Sequence, residues 1–492
     1  MMPRDAMLAA VLATLAAATD VLVVGISSNP VSLDPHRATD LVAAALVSNV
    51  CEPLVTFGPE GTQPRPNLAL TWATADNRTW SFTLREGVRF HDGTPFDADA
   101  VVANVDRMRA SGIFPGRAER IGPHVVALTL EQPNAALLAT LSQPFLCIQS
   151  PLQLASHRRT LVGTGPFRLL RARPGLYELV ANPDYWAGVP ELRRLVFRRH
   201  AGQGALRRAL LSGEIEVTSA VGLPDVRRLR QAEGVELDVQ AGLNVSFLSI
   251  NNERAPLSES LVRQALAHAI DRKALVAEIL DGHGEPARNP LPPSLLGYGT
   301  RTRPLRHDVA RARRLLTEAG LPDGFATTLL APRSARPYLP DPLRLAHMIK
   351  EDLAKIDVVV RITAVSEWAA YLRQATRGDY DLALLGWQAD TLDPNDFLSA
   401  LLASSFIGTT NRSRYSRPEM DALLKRGRRT ADPRQRARIY HQAQALFQRD
   451  LPWVPLYHAS VFSAHRGDVQ GLRIGPTGLL RYDRAFKQAR ER

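Results

Sequence analysis

Two stretches of this 492-residue chain combine residue types that could do chemistry. His91 and Asp92 stand side by side in Phe90-His-Asp-Gly93, an acid–base pair by composition. Gly163-Thr-Gly165-Pro-Phe167 is the nearest approach to a glycine-rich phosphate loop. Neighbours on a strand point to opposite faces, so His91 and Asp92 read as turn-stabilising residues and not as a catalytic pair. The glycine stretch precedes a strand instead of opening a helix, so no helix N–H groups aim at a phosphate, and it reads as a tight turn. There is no G-x-S-x-G, H-E-x-x-H, P-loop or complete G-x-G-x-x-G. The 12 His are dispersed without metal-ligand spacing. Cys51 and Cys147 belong to no C-x-x-C or Cys/His cluster, and read as structural thiols or one bridge in an oxidising compartment. Nothing nominates a reaction, and no cofactor or metal is expected.

The elements around these residues are mixed α and β. Val21 to Ile26, Trp80 to Arg85, Val125 to Leu130, Phe167 to Leu170, Val245 to Ile250, Val358 to Thr363 and Asp381 to Leu385 read as strands. Helices lie between them. Asp97 is an N-cap for a helix through Arg109, Asp308 caps one that stops at Gly320, and Pro433 opens one to Gln448. There is no internal repeat or low-complexity linker, so the domains should be joined by crossing strands. The expected crossings are Phe247 to Asn251 and Pro455 to Phe462.

With 45% hydrophobic and 22% charged residues the composition is that of a globular chain, and it excludes disordered, collagen-like and disulfide-dense classes. The length implies two to four domains at roughly 100–200 residues each. The charge of +12 comes from 61 Lys+Arg against 49 Asp+Glu. The Arg residues are scattered through helical stretches without interleaved aromatics, so solvated helix faces are expected and nucleic-acid binding is not. Arg4 precedes an apolar run, Ala6 to Ala18, that ends in three alanines. This is the layout of a cleavable secretory signal, too short to span a bilayer of about 20 residues, and it implies a soluble, exported, periplasmic protein. No Cys follows the run, so no lipid anchor is expected.

The segment Trp80 to Val102, WSFTLREGVRFHDGTPFDADAVV, resembles the hallmark stretch of extracellular solute-binding protein family 5, the peptide- and nickel-binding components of ABC importers. SLDP at Ser32, GTGPFRL at Gly163, DYWAG at Asp184, VRQALAHAIDR at Val262 and GW at Gly386 followed by DP at Asp393 occur in the family's order. Gly242 to Leu266, LPPSLLGY at Leu291 and ARPYLPDP at Ala335 look most like the dipeptide-binding subgroup. The resemblance implies an α/β, two-lobe periplasmic-binding-protein-like fold with a ligand cleft between lobes joined by hinge strands. The implied parts are a signal over residues 1–18, lobe I over 19–250 plus 459–492 with an inserted subdomain about 36–160, and lobe II over 251–458. It implies capture of a short peptide for a membrane permease by a monomer that is not an enzyme.

A zwitterionic peptide needs a bidentate cation for its carboxylate and a carboxylate for its ammonium. Arg336 in ARPYLPDP and Asp390 in GWQAD match the positions that fill these roles in the subgroup. Trp387 is placed as a pocket wall, with a core Trp closing its strand as the alternative, and Asn244 is added as a ligand-binding residue. WQADTL between Gly386 and Asp393 departs from the subgroup, which leaves side-chain preference open. The same transport role for a nickel chelate, haem or a glutathione-like solute is the second reading, and a secreted hydrolase the third.

Overall fold

The computed structural model describes residues 20–58, 63–156, 160–299, 302, 304–389, 391–475 and 477–488. The expected export signal lies outside these residues. The chain forms two compact units, one running to Gln240 and resuming at Phe462, the other from Ala241 to Val461.

In the first unit, strand β1 (Val21–Ile26) lies at the centre of a sheet. A separate four-stranded sheet follows, built from β2 (Ala69–Thr74), β3 (Thr79–Leu84), β4 (Arg117–Gly122) and β5 (Val125–Thr129) in the order β2-β3-β5-β4. Alternation along β3 turns Trp80, Phe82 and Leu84 inward, where they meet Phe90, Phe96, Val101 and Met108 in one core. Helix α1 (Ala98–Ala110) supplies part of that core, and the Asp97 carboxylate accepts the Ala100 N–H at 2.9 Å as its cap. Strands β6 (Phe167–Arg173), β7 (Leu176–Ala181) and β8 (Arg194–Arg199) continue the first sheet, with β8 parallel to β1 and β9 (Val217–Thr218) on the other side of β1.

Several of the family-like motifs have structural roles here. His91 meets Gly165 O at 2.9 Å through Nε2, and Ser150 donates to Asp92 at 2.5 Å. A Cβ on Gly163 would lie 2.3 Å from Val50 O, so this loop needs glycine to pass the neighbouring backbone. The fully buried Glu52 carboxylate accepts from Thr164 at 2.8 Å and from Tyr185 and Trp186 at 2.9 Å each, tying the glycine loop to DYWAG. Cys51 and Cys147 are joined as a disulfide.

The second unit begins at the end of β10 (Val235–Ala241). Its strands are β11 (Asn244–Ile250), β12 (Phe325–Pro332), β13 (Val358–Val365), β14 (Leu382–Gln388) and β15 (Trp453–Arg466), in the order β13-β12-β14-β11-β15. β12 runs parallel to both β13 and β14, and β11 runs antiparallel to β14 and β15. The sequence put the first boundary after residue 250. In the structure β11 pairs with β14 along its whole length, from Asn244–Gln388 to Ile250–Leu382, and every one of its residues is buried. It therefore belongs to the second unit, and the chain passes between units at 240–241 and, within β15, at 461–462. Helices α2 (Val309–Glu318), α3 (Pro342–Ala354), α4 (Trp368–Arg377), α5 (Pro394–Leu402) and α6 (Pro433–Asp450) belong to this unit. No helix of the described residues is long and apolar enough to cross a membrane.

Candidate functional site

The order of the second sheet locates a site before any side chain is considered. From β12 the chain passes through α3 to β13 on one side, then through α4 to β14 on the other side of β12. Right-handed crossovers in opposite directions are expected to put α3 and α4 on opposite faces, the topology that places a ligand crevice at the carboxyl ends of strands such as β12 and β14. The loop after β12 carries Arg336, α4 opens with Trp368 after β13, and Trp387 is the penultimate residue of β14.

Arg336 and Leu339 exchange backbone hydrogen bonds of 2.9 Å in both directions around Pro337 and Tyr338. Proline at the second position of such a turn has its φ already set. Asp341 then accepts the Arg344 N–H at 3.0 Å and starts α3. Tyr338 lies directly on β14: a Cβ on Gly386 would sit 2.2 Å from its Cδ2 and 2.5 Å from its Cε2. The glycine of the Gly386-Trp387 pair is thus the seat of the Arg336 turn. Burial pushes the Tyr338 phenol up, against the pull of Arg336 and Arg412, so it stays neutral.

The Arg336 guanidinium carbon stands 4.0 Å from the centroid of the Trp368 ring, a cation–π contact. Its Nε is buried and has no hydrogen-bond partner among the described residues, and the same holds for Trp387 Nε1 and Ser334 Oγ. Buried donors are ordinarily satisfied, so these three are polar groups that the described residues leave without a partner. Trp387 is half-buried and pairs across the strands with Val245.

Asn244 has a different place. Its amide donates to Ala459 O and accepts from Ala459 N, both at 2.9 Å, and its carbonyl meets His458 Nδ1 at 2.7 Å. These bonds pin β15 onto β11 and commit the side chain to the sheet. Asp390 lies outside the described residues. The backbone on either side is anchored: Ala389 N donates to Leu243 O at 2.8 Å and Thr391 N to Asp396 at 3.1 Å. Asp393, of the Asp-Pro pair, caps α5 and is gripped by Arg436 of α6 at 2.5 and 2.7 Å, in a pair with side chains 7% and 6% exposed. Trp368 and Tyr338 were not singled out from the sequence. The available signal was Trp368-x-x-Tyr371, which places two aromatic rings on one helix face.

Fold and sequence together define a class: an α/β protein whose second unit has a topological switch point beside Arg336, with no nucleophile motif in the chain. Residues 63–409 match the bacterial extracellular solute-binding proteins, family 5. The chain belongs to that family. It is 32% identical to heme-binding protein A of Haemophilus influenzae over 86% of this chain and 84% of that one. It is 30% identical to di/tripeptide-binding protein 1 of Pseudomonas aeruginosa, covering 92% and 91%. Among solved structures it resembles the periplasmic binding protein DppA from Helicobacter pylori in complex with the peptide STSA, with TM-score 0.76 and 30% identity over 95% of this chain and 98% of that one.

Proposed function

We propose that this chain is the exported, non-catalytic binding component of an ABC importer, and that it captures di- and tripeptides for a membrane permease. The observation that carries the reading is Arg336: a guanidinium stacked on Trp368 with a buried, unspent Nε–H at the switch-point crevice. A planar five-donor cation with no ion-pair partner among the described residues suits a peptide α-carboxylate, which accepts two parallel N–H bonds. Asp390, two residues beyond the end of β14 in the sequence, is proposed to meet the α-ammonium, and Trp387 to wall the side-chain space. The peptide-binding relatives support this choice of ligand. The similarity to a heme-binding protein favours one second reading, a larger carboxylated solute held by the same arginine.

A thermal-shift screen of dipeptides, tripeptides, glutathione, Ni(II)-histidine and haem separates these readings. A ligand present at 100 times its Kd adds about 2.7 kcal/mol of stability. Stabilisation by dipeptides or tripeptides is expected. Stabilisation by haem alone would replace the peptide reading.

A further inference from the structure

We infer that Trp368, held in place by Tyr371, is a positioning residue that fixes the Arg336 guanidinium for a planar carboxylate, and so sets how strongly the crevice prefers a free acid to its amide. The inference rests on the peptide reading above.

The argument starts on the backbone of β14. Tyr371 is fully buried and its hydroxyl donates to the Leu384 carbonyl, which fixes the phenol ring to the sheet. Trp368 precedes it by three residues on α4, so the two side chains lie on one face of the helix. Their rings are stacked, with centroids 5.4 Å apart and planes 18° from parallel. Arg336 completes the column from another loop, its guanidinium carbon 4.0 Å above the indole centroid. Strand backbone, phenol, indole and guanidinium thus form one supported stack.

The guanidinium carries all five N–H groups in its own plane, so an indole against its face consumes none of them. The contact with the indole leaves the N–H donors unspent, and Nε–H has no hydrogen-bond partner among the described residues. A flexible arginine would be ordered only when the ligand arrives; a stacked one already presents its donors in one plane. A carboxylate uses that plane through two accepting oxygens, whereas an amide offers one acceptor and opposes a donor with its own N–H groups. Trp368 therefore acts through Arg336 and needs no contact with the ligand.

The test is calorimetric titration of Ala-Leu and Ala-Leu amide into the wild-type chain, Trp368→Leu and Trp368→Phe, with the Arg Nε–Hε NMR spectrum recorded for each protein without ligand. The wild type should bind the acid at least about tenfold tighter than the amide. Trp368→Leu should reduce that ratio to about threefold or less, and Trp368→Phe, which keeps an aromatic face, should restore most of it. A Trp368→Leu protein that weakens acid and amide by the same factor overturns the inference. If the wild type binds neither compound, the peptide reading fails and the spectrum judges the positioning claim alone. The Arg336 Nε–Hε signal, assigned by its loss in Arg336→Gln, should be ring-current shifted and slow to exchange in the wild type and in Trp368→Phe. It should merge with the solvent-exposed arginines in Trp368→Leu, and an unchanged signal there overturns the claim whatever the ligand.

Discussion

Gly386 shows how narrowly single positions are constrained. Its missing side chain is the space in which the Tyr338 ring lies, and Val245 O would stand 2.9 Å from an added Cβ. Gly386→Ala must therefore displace the ring or the β14 backbone, at a cost of about 1–3 kcal/mol by analogy with overpacked cores. The expected outcome is a lower urea midpoint together with weakened ligand binding, because the displaced ring belongs to the Arg336 turn. A variant with wild-type stability and wild-type binding would show that Tyr338 has another place to go. Arg336 and Trp387 could be proposed from the sequence because they stand in local words, ARPYLPDP and GW, that carry the family resemblance. Trp368 could not. An aromatic pair at helical spacing reads equally well as core, and what marks it as part of the site is a contact with a loop distant in the chain.

At the scale of elements, the buried Arg436–Asp393 pair joins α6 to the start of α5 just beyond the β14 loop. Burial works against the charge on Arg436, yet Asp393 and Tyr440 leave its pKa raised, so the guanidinium stays charged. Removing one partner leaves a buried charge alone. Arg436→Met is expected to cost about 3–5 kcal/mol, and adding Asp393→Ser, which keeps a capping oxygen, to recover part of that. Chemical denaturation of the single and double variants measures it, and a double variant no more stable than Arg436→Met would contradict the pairing argument. Local capping chemistry explains why α1, α2 and α6 were legible: Asp97 and Asp308 accept the N–H groups of Ala100 and Arg311, and Pro433 sits at the first turn of its helix. β12 was not foreseen, since its residues FATTLLAP show no period, and only its position between β13 and β14 makes it a strand. The boundary at 240–241 was missed for a related reason: the pairing of β11 with β14 is a long-range fact that strand propensity does not contain.

For the whole molecule, stability should fall in mild acid through its buried histidines. Burial, as the leading cause, lowers His36, His91 and His458 from 6.5 to about 4. Each contributes stability above pH 6.5 that is lost progressively as pH falls toward 4, by up to about 1.4 kcal/mol per pH unit per proton. Glu52 and Glu285, raised chiefly by burial, act in the opposite sense above the ordinary carboxylate range. A comparison with His458→Asn cancels them. His458 is 3% exposed and its Nε2 has no partner among the described residues, so protonation there meets no acceptor. Between pH 6.5 and 4 the variant should lose about 1–3 kcal/mol less than the wild type in urea denaturation, and identical pH slopes would count against the buried neutral imidazole. The central claim is that Arg336 holds the ligand's carboxylate, and calorimetric titration of Ala-Leu into the wild-type chain and Arg336→Gln tests it most directly. The account predicts binding to the wild type and at least about a tenfold loss in the variant, with the unliganded melting temperatures nearly equal; equal affinity in both proteins would contradict it.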